Sequence, residues 1–318
     1  MAVYAGADSV ITVDCQYLMP EHAAAYLIVE GERAAFVDNN TVHAVPLLLD
    51  ALASHGLGPE HVAYAIITHL HLDHAGGTSA LAARCPNATV IAHPRAVRHL
   101  VDPARLVASA KGVYGEERFN ALYGGIAPIR EDRIRAVQDG EELQFGRRTL
   151  RFLHTPGHAK HHICIHDSAS NGVFTGDAFG VAFNARRGGT RLFLLCSTPP
   201  TDFDPQQAQA SVKKILATGA ERIYFAHFGA MTSVQEGGRA ILESIGHMEA
   251  LLKEAAASDL NGSALARFCE ARLHRIVEDQ ARASGATFAA QEWRCIETDV
   301  QINAQGLALA AERRRRAG

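Results

Sequence analysis

The sequence predicts an α+β fold, with sheets covered by helices and a helical extension at its C-terminal end. Three observations predict it. Apolar runs of strand length alternate with helix-compatible stretches up to about residue 230, the signature of sheets that carry helices on their faces. From about 230 onward the strand signals stop and long helical stretches take over. A chain of 318 residues is also long enough to bury one large core or two smaller ones without a disulfide or structural metal.

The elements follow in order. SVITVD, AAAYLIVE and RAAFVD open the chain as strands, the last two joined by Gly31 and Glu32 as a hairpin. VPLLLDALASHG gathers leucine and alanine on one helical face and stops at Gly56. VAYAIITH is a continuous apolar run of strand length, TSALAARCP is short and helical, and ATVIAH returns to strand. Residues 94–125 hold helix formers broken by Pro103, Gly112 and Gly115, which predicts two or three helices over the active face. IRAV, EELQF, RTLRFLH, HHICIHD and GVFTGD are strands separated by turn residues. NARRGGTR, residues 184–191, reads as a polar loop that could overhang a site, and RLFLLCS is strand or buried helix, since periodicity cannot decide so short a run. DPQQAQASVKKILATG is an amphipathic helix opened by Asp204 and Pro205, leading into the strand RIYFAH. Beyond it, VQEGGRAILESIGHMEALLKEAAAS and GSALARFCEARLHRIVEDQARA are helices, and a shorter piece, NAQGLALAAERRR, closes the chain. The expected organisation is a body over 1–230 and a helical extension over 231–318 packed on it, with no flexible linker between them.

Composition excludes several classes. The chain is 47% hydrophobic and 20% charged, ordinary for a globular protein. A formal net charge of −3 gives no field to gather nucleic acid, and the basic run Arg313–Arg316 reads as a solvated tail. No uncharged apolar stretch approaches the length of a membrane span. The six cysteines are scattered without a CxxC pair and the first ten residues show no secretory pattern, so a cytoplasmic chain with free thiols is expected. The expected partner is a small-molecule substrate, and apolar positions in the C-terminal helices would serve a homodimer interface or burial against the body equally well.

The chemistry is concentrated in THLHLDHAGG, residues 68–77. His69, His71, Asp73 and His74 fall where a buried strand gives way to a loop. In extended backbone His69 and His71 share a side, while Asp73 and His74 reach a neighbouring point once the chain turns. Neutral imidazoles with a carboxylate suit zinc, and also iron, manganese or cobalt. The glycines allow a tight turn and close backbone packing.

HLHLDH resembles the HxHxDH signature of the metallo-β-lactamase fold hydrolases, and further landmarks follow in the family's order: TPGH ending in His158, TGD ending in Asp177, and FAHFG containing His227. Upstream, FVD ends in Asp38, like the buried aspartate that family members place beneath the metal loop. The resemblance covers roughly residues 10 to 230 and is closest to poorly characterised hydrolases of this fold with a helical C-terminal extension, similar in broad plan to glyoxalase II. It implies a four-layer αββα sandwich and two divalent ions, zinc first, with iron or manganese as alternatives. His69, His71 and His158 would hold one ion, and Asp73, His74 and His227 the other. Asp177 would bridge them, and Asp38 would back a ligand imidazole. A hydroxide bridging the ions would be the nucleophile, with Asp73 also orienting it or managing its proton.

The resemblance implies a hydrolase of a small ester, thioester or lactone. The alternatives are an iron-containing redox or oxygen-binding protein of the same fold, or a phosphodiesterase. Flavodiiron members carry glutamate where His71 stands, and the slight negative charge disfavours a nuclease. Phe179, Phe183, Phe193 and Tyr224 are candidate pocket walls, although aromatic residues in strands are more often core. Lys160, with Arg186, Arg187 and Arg191, either binds a small anion or solvates a loop. His161, His162 and His166 read as supporting or surface histidines.

Overall fold

Seven strands form one sheet in sequential order: β1 (Val3–Ala5), β2 (Val10–Asp14), β3 (Ala24–Glu30), β4 (Arg33–Val37), β5 (Val62–Ile66), β6 (Thr89–Ala92) and β7 (Ile134–Ala136). The first four pair antiparallel and the rest parallel. The change of direction falls where helices begin to intervene, as crossovers between parallel strands require. In this computed structural model residues 3–5, 9–183, 193–200 and 202–317 are described. The chain divides into unit 1 (Met1–His154, His161–Gly176, Arg222–Gly229) and unit 2 (Thr155–Lys160, Asp177–Glu221, Ala230–Gly318).

Unit 1 is layered because its strands have two apolar faces. Along β3, Ala25 and Leu27 join one core with helices α1 (Val45–Ser54), α3 (Thr78–Arg84) and α4 (Pro94–Val101). Tyr26 and Ile28 point the other way, into a second core. Its other wall is a second sheet, ordered β15 (Gly229–Met231), β14 (Arg222–Phe225), β11 (Gly172–Phe174), β10 (Ile163–Asp167), β9 (Arg148–His154), β8 (Glu142–Phe145). Leu27, Ile28 and Phe36 are fully buried, each worth roughly 1.5–3 kcal/mol over an exposed position. The hairpin at Gly31–Glu32 forms as expected, with Gly31 at φ +61°, the backbone that two-residue hairpin turns demand.

Between the first glycines and β7 lie α4, α5 (Ala104–Tyr114) and α6 (Glu116–Tyr123). Gly115, at φ +78°, separates α5 from α6. Gly112, expected to break a helix, lies inside α5 with open space around it. A glycine there costs about 1 kcal/mol but does not forbid the helix.

Unit 2 contains the hairpin β12 (Val181–Phe183) and β13 (Phe193–Leu195), and the helices α7 (Pro205–Leu216), α8 (Val234–Ala257), α9 (Gly262–Ser284) and α10 (Ala290–Ala317). RLFLLCS therefore resolves as strand over Phe193–Leu195. Asp204 caps α7 by accepting from the backbone N–H groups of Gln206 and Gln207, both at 3.0 Å. The closing helix corrects the expectation of a short piece: α10 runs 28 residues. Ile296, Val300, Ala304, Leu307 and Ala311, all buried, form one continuous stripe at three- and four-residue spacing, and α10 packs along both α8 and α9. Among the described residues no helix is long and apolar enough to cross a membrane.

Candidate metal centre

The motif of residues 69–74 leaves β5 and turns into α2 (Leu72–Ala75), whose N-cap is His71. In unit 1, Asp73 Oδ2 lies 3.6 Å from His74 Nε2 and 3.4 Å from His227 Nε2. Ligand atoms of these three residues all fall within 4.8 Å of one another. His227 reaches this point from the turn after β14, so the cluster joins strand ends of the two sheets of unit 1.

The tautomers of both imidazoles follow from their other nitrogens. His74 Nδ1 lies 3.0 Å from Asp38 Oδ2, and His227 Nδ1 lies 3.1 Å from the main-chain oxygen of His22. Carboxylate and carbonyl oxygens only accept, so each Nδ1 carries the hydrogen and each Nε2 presents a lone pair on the Asp73 side. One carboxylate and two neutral imidazoles, each oriented from behind, is a donor set that fits a divalent transition metal.

Asp38 accepts two more hydrogen bonds, from the backbone N–H of Thr68 at 2.8 Å and its hydroxyl at 2.9 Å. His69, 1% exposed, places Nε2 2.9 Å from His71 Nδ1, so the two side chains converge as extended backbone requires. His162 is buried, with its ring 4.9 Å from that of His69. His161 accepts from the backbone N–H of Leu70 at 3.4 Å.

Unit 2 carries the other two predicted ligands, and it brings them together. His158 Nε2 lies 3.4 Å from Asp177 Oδ2, and both residues are buried. Gly157, beside His158, lets the chain lie against α7: at φ +131°, a Cβ there would meet Ala208 N at 2.3 Å. Nearby Cys196 is held protonated, its thiol pushed well above its ordinary range by burial and then by the charge of Asp177.

The candidate pocket residues have other surroundings. Tyr224 is 1% exposed within the core between the sheets of unit 1, its ring stacked 4.6 Å from Phe174. Phe179 is fully buried beside Gly237. Phe183 and Phe193 pair across their hairpin and both meet the ring of Phe288. Lys160 is exposed and pairs with Asp202 at 3.3 Å. Residues 184–191, including Arg186, Arg187 and Arg191, lie outside the described residues.

Sequence reasoning missed His22, whose ring is 5.5 Å from that of His227. Burial first, then the neighbouring His227, lowers its pKa to about 4, with Asp73 opposing them. It acts on His227 through a backbone oxygen, which no residue type signals.

This fold and donor arrangement belong to a known class. The profile of the Metallo-beta-lactamase superfamily matches residues 19–227, and the chain belongs to that superfamily. A metallo-beta-lactamase fold-containing protein of Sulfurisphaera tokodaii is 29% identical over 170 residues, 52% of this chain and 60% of its own length. An acyl-coenzyme A thioesterase of Gallus gallus is 30% identical over 128 residues, 38% of this chain and 43% of its own. The chain thus spans about half the length of the curated relatives it matches. The crystal structure of an archaeal superfamily protein from Sulfolobus tokodaii superposes with a TM-score of 0.64 at 20% identity, covering 95% of this chain and 99% of that one.

Proposed function

We infer that this chain is a metal-dependent hydrolase that cleaves a small ester, thioester or lactone. The observation that carries the reading is the convergence of Asp73, His74 and His227, with both imidazoles oriented from behind so that Nε2 is the ligand atom. In this reading His69, His71 and His158 would hold one ion and Asp73, His74 and His227 a second, with Asp177 completing the donor set. Zinc is the first candidate for nitrogen and carboxylate donors of this kind. Two such ions, when bound, lower the pKa of a shared water and polarise the carbonyl under attack.

The protein's own part is positional. Asp38 and the His22 carbonyl hold the two rings, and Asp73 is the most solvent-exposed donor of its set at 27%. A carboxylate at that edge orients the attacking water and takes up its proton. The thioesterase among the relatives supports the thioester arm of the reading. Six free cysteines, five of them buried, support a reducing, cytoplasmic setting.

Metal analysis of protein purified without a chelating tag, followed by a screen of lactones, thioesters, aryl esters and phosphodiesters, tests the reading. His71→Ala and Asp177→Ala should each lower bound metal and abolish turnover. Unchanged metal stoichiometry in both variants overturns the ligand assignment, and cleavage confined to phosphodiesters overturns the substrate class.

A further inference from the structure

Thr68, the residue just before the donor motif, joins two of its imidazoles to one carboxylate. Its hydroxyl donates to Asp38 Oδ2 at 2.9 Å, and the same oxygen lies 3.1 Å from His69 Nδ1. A hydroxyl has a single hydrogen and a carboxylate oxygen only accepts, so that hydrogen is committed to Asp38. At the second contact the imidazole must donate: His69 carries its hydrogen on Nδ1, and its Nε2 presents a lone pair. The 2.9 Å contact between His69 Nε2 and His71 Nδ1 agrees, since the hydrogen between them then comes from His71.

Asp38 Oδ2 also takes the Nδ1 hydrogen of His74 at 3.0 Å. Asp38 thus fixes the tautomer of His74 directly and that of His69 through one hydroxyl. All four residues belong to unit 1. Thr68, His69 and His74 are each 1% exposed and Asp38 3%, so bulk water does not reach the network to replace a lost partner.

The hydroxyl is also held in place. The main chain of Thr68 is pinned on both sides, its N–H donating to Asp38 Oδ1 and its carbonyl accepting from Ile163 N, both at 2.8 Å. Gly176, at φ +47°, closes over the side chain, so near that a Cβ there would sit 2.8 Å from Thr68 Oγ1 and 2.9 Å from Thr68 Cβ. A β-branched side chain has little rotamer freedom to begin with, and this packing keeps Oγ1 aimed at both partners.

We propose that Thr68 is a positioning residue for both metal-ligand sets, relaying the Asp38 carboxylate to His69 so that one buried group selects Nε2 as the ligand atom of His69 and of His74. The assignment deepens the hydrolase reading above and rests on it for the roles of the two histidines, which that reading gives to different ions. Removing the hydroxyl strands the Nδ1 hydrogen of His69. The ring escapes by carrying its hydrogen on Nε2 instead, with the bond to His71 reversed. A protonated Nε2 has no lone pair for a metal.

The test reads imidazole tautomers by two-bond proton–nitrogen NMR correlation in the metal-free full chain, at mildly alkaline pH. His69 and His74 should both carry hydrogen on Nδ1. Thr68→Val should move His69 to the Nε2–H form and leave His74 as it was, whereas Thr68→Ser, which keeps the hydroxyl, should preserve both. Asp38→Asn should move both rings, because its amide donates to Oγ1 and turns the hydroxyl hydrogen toward His69. In competitive zinc titration, affinity should fall about 10-fold or more in Thr68→Val and stay within about three-fold in Thr68→Ser. A general packing defect would lower stability without this selective change of one ring. His69 with its hydrogen on Nε2 in the unaltered chain overturns the assignment, and so does unchanged zinc affinity in Thr68→Val. Should that variant fail to fold, the tautomers of the unaltered chain and of Asp38→Asn still decide. An unaltered chain that binds no zinc overturns the hydrolase reading, while its metal-free tautomers judge Thr68 separately.

Discussion

Replacing Asp38 by asparagine should separate folding from metal binding. Asp38 sits at φ +56°, and asparagine is among the few residues other than glycine that tolerate this region well. The backbone is therefore kept. The side chain then has one acceptor oxygen where three donors converge: Thr68 N at 2.8 Å, Thr68 Oγ1 at 2.9 Å and His74 Nδ1 at 3.0 Å. With its oxygen on Thr68 N, the new amide donates toward the other two. The threonine hydroxyl rotates to accept, and His74 Nδ1 must accept as well. The His74 proton moves to Nε2, the atom facing Asp73. Charge-assisted bonds become neutral ones, a loss of roughly 1–2 kcal/mol in the metal-free protein. Zinc affinity at the Asp73–His74–His227 set should fall about 10- to 100-fold. Asp38→Ala instead strands three donors and leaves alanine in a left-handed conformation, costing about 4 kcal/mol or more. Urea unfolding of metal-free protein gives the first quantity and competitive zinc titration the second. Unchanged zinc affinity in Asp38→Asn, or an alanine variant as stable as the asparagine one, would refute the reasoning.

Three further predictions concern stability. Burial lowers the pKa of His93 from 6.5 to about 4, helped by His154 and Arg95. The unfolded chain therefore binds this proton first, and stability is lost as pH falls from about 6.5 toward 4, by roughly 2 kcal/mol at pH 5. His93→Asn keeps a capping acceptor for Arg95 N, so its urea midpoint should fall less between pH 7 and pH 5 than that of the unaltered chain, and equal slopes would contradict this. Gly77→Ala places a Cβ 2.7 Å from Thr41 O and 2.9 Å from Asn39 O. Both are backbone atoms that cannot swing away, so a loss of about 2–3 kcal/mol is expected in thermal unfolding, and an unchanged midpoint refutes it. Arg148→Met strands Asp167, which is fully buried and paired with Arg148 at 2.7 Å, at a cost of about 3–5 kcal/mol. Adding Asp167→Asn should restore part of that stability, and a double variant no more stable than the single one would show that the buried charge is not the cause.

What was legible in the sequence follows from what residue type encodes. The alternation of Ala25 and Leu27 against Tyr26 and Ile28 reports two buried faces, and HLHLDH reports its donors through their identity. Less legible were features whose signal lies in the main chain or in distant partners. His22 acts through a carbonyl oxygen, which no residue type signals, whereas the left-handed backbone of Asp38 and Asn40 falls in an Asp-Asn-Asn run whose residue types favour it. The first half of α10 mixes its apolar residues with charged ones, so its helical period emerges only once the buried positions, Ile296 and Val300, are known. Tyr224 could be pictured in a pocket or a core from sequence alone. Its stacking on Phe174 depends on the parallel register of β11 with β14, which pairs these two residues.

The run Asp38–Asn39–Asn40 explains why the metal-binding loop keeps its shape. Asp38 and Asn40 both have positive φ, and two such residues together cost a few kcal/mol unless neighbours impose them. Here the imposition is mutual. Asn39 N and Asn40 N both donate to His74 O at 3.0 Å, Asn40 Nδ2 donates to Asp73 O at 2.7 Å, and Gly77 N donates to Asn40 O at 2.9 Å. The main chain of the two donor residues is thus held by the segment whose side chain, Asp38, orients His74. A Cβ at Gly76 or Gly77 would collide with backbone oxygens, those of Leu72 and Thr41 respectively. The paired glycines are therefore as necessary to the loop as the histidines they follow: they admit the strained segment that fixes where the donors point.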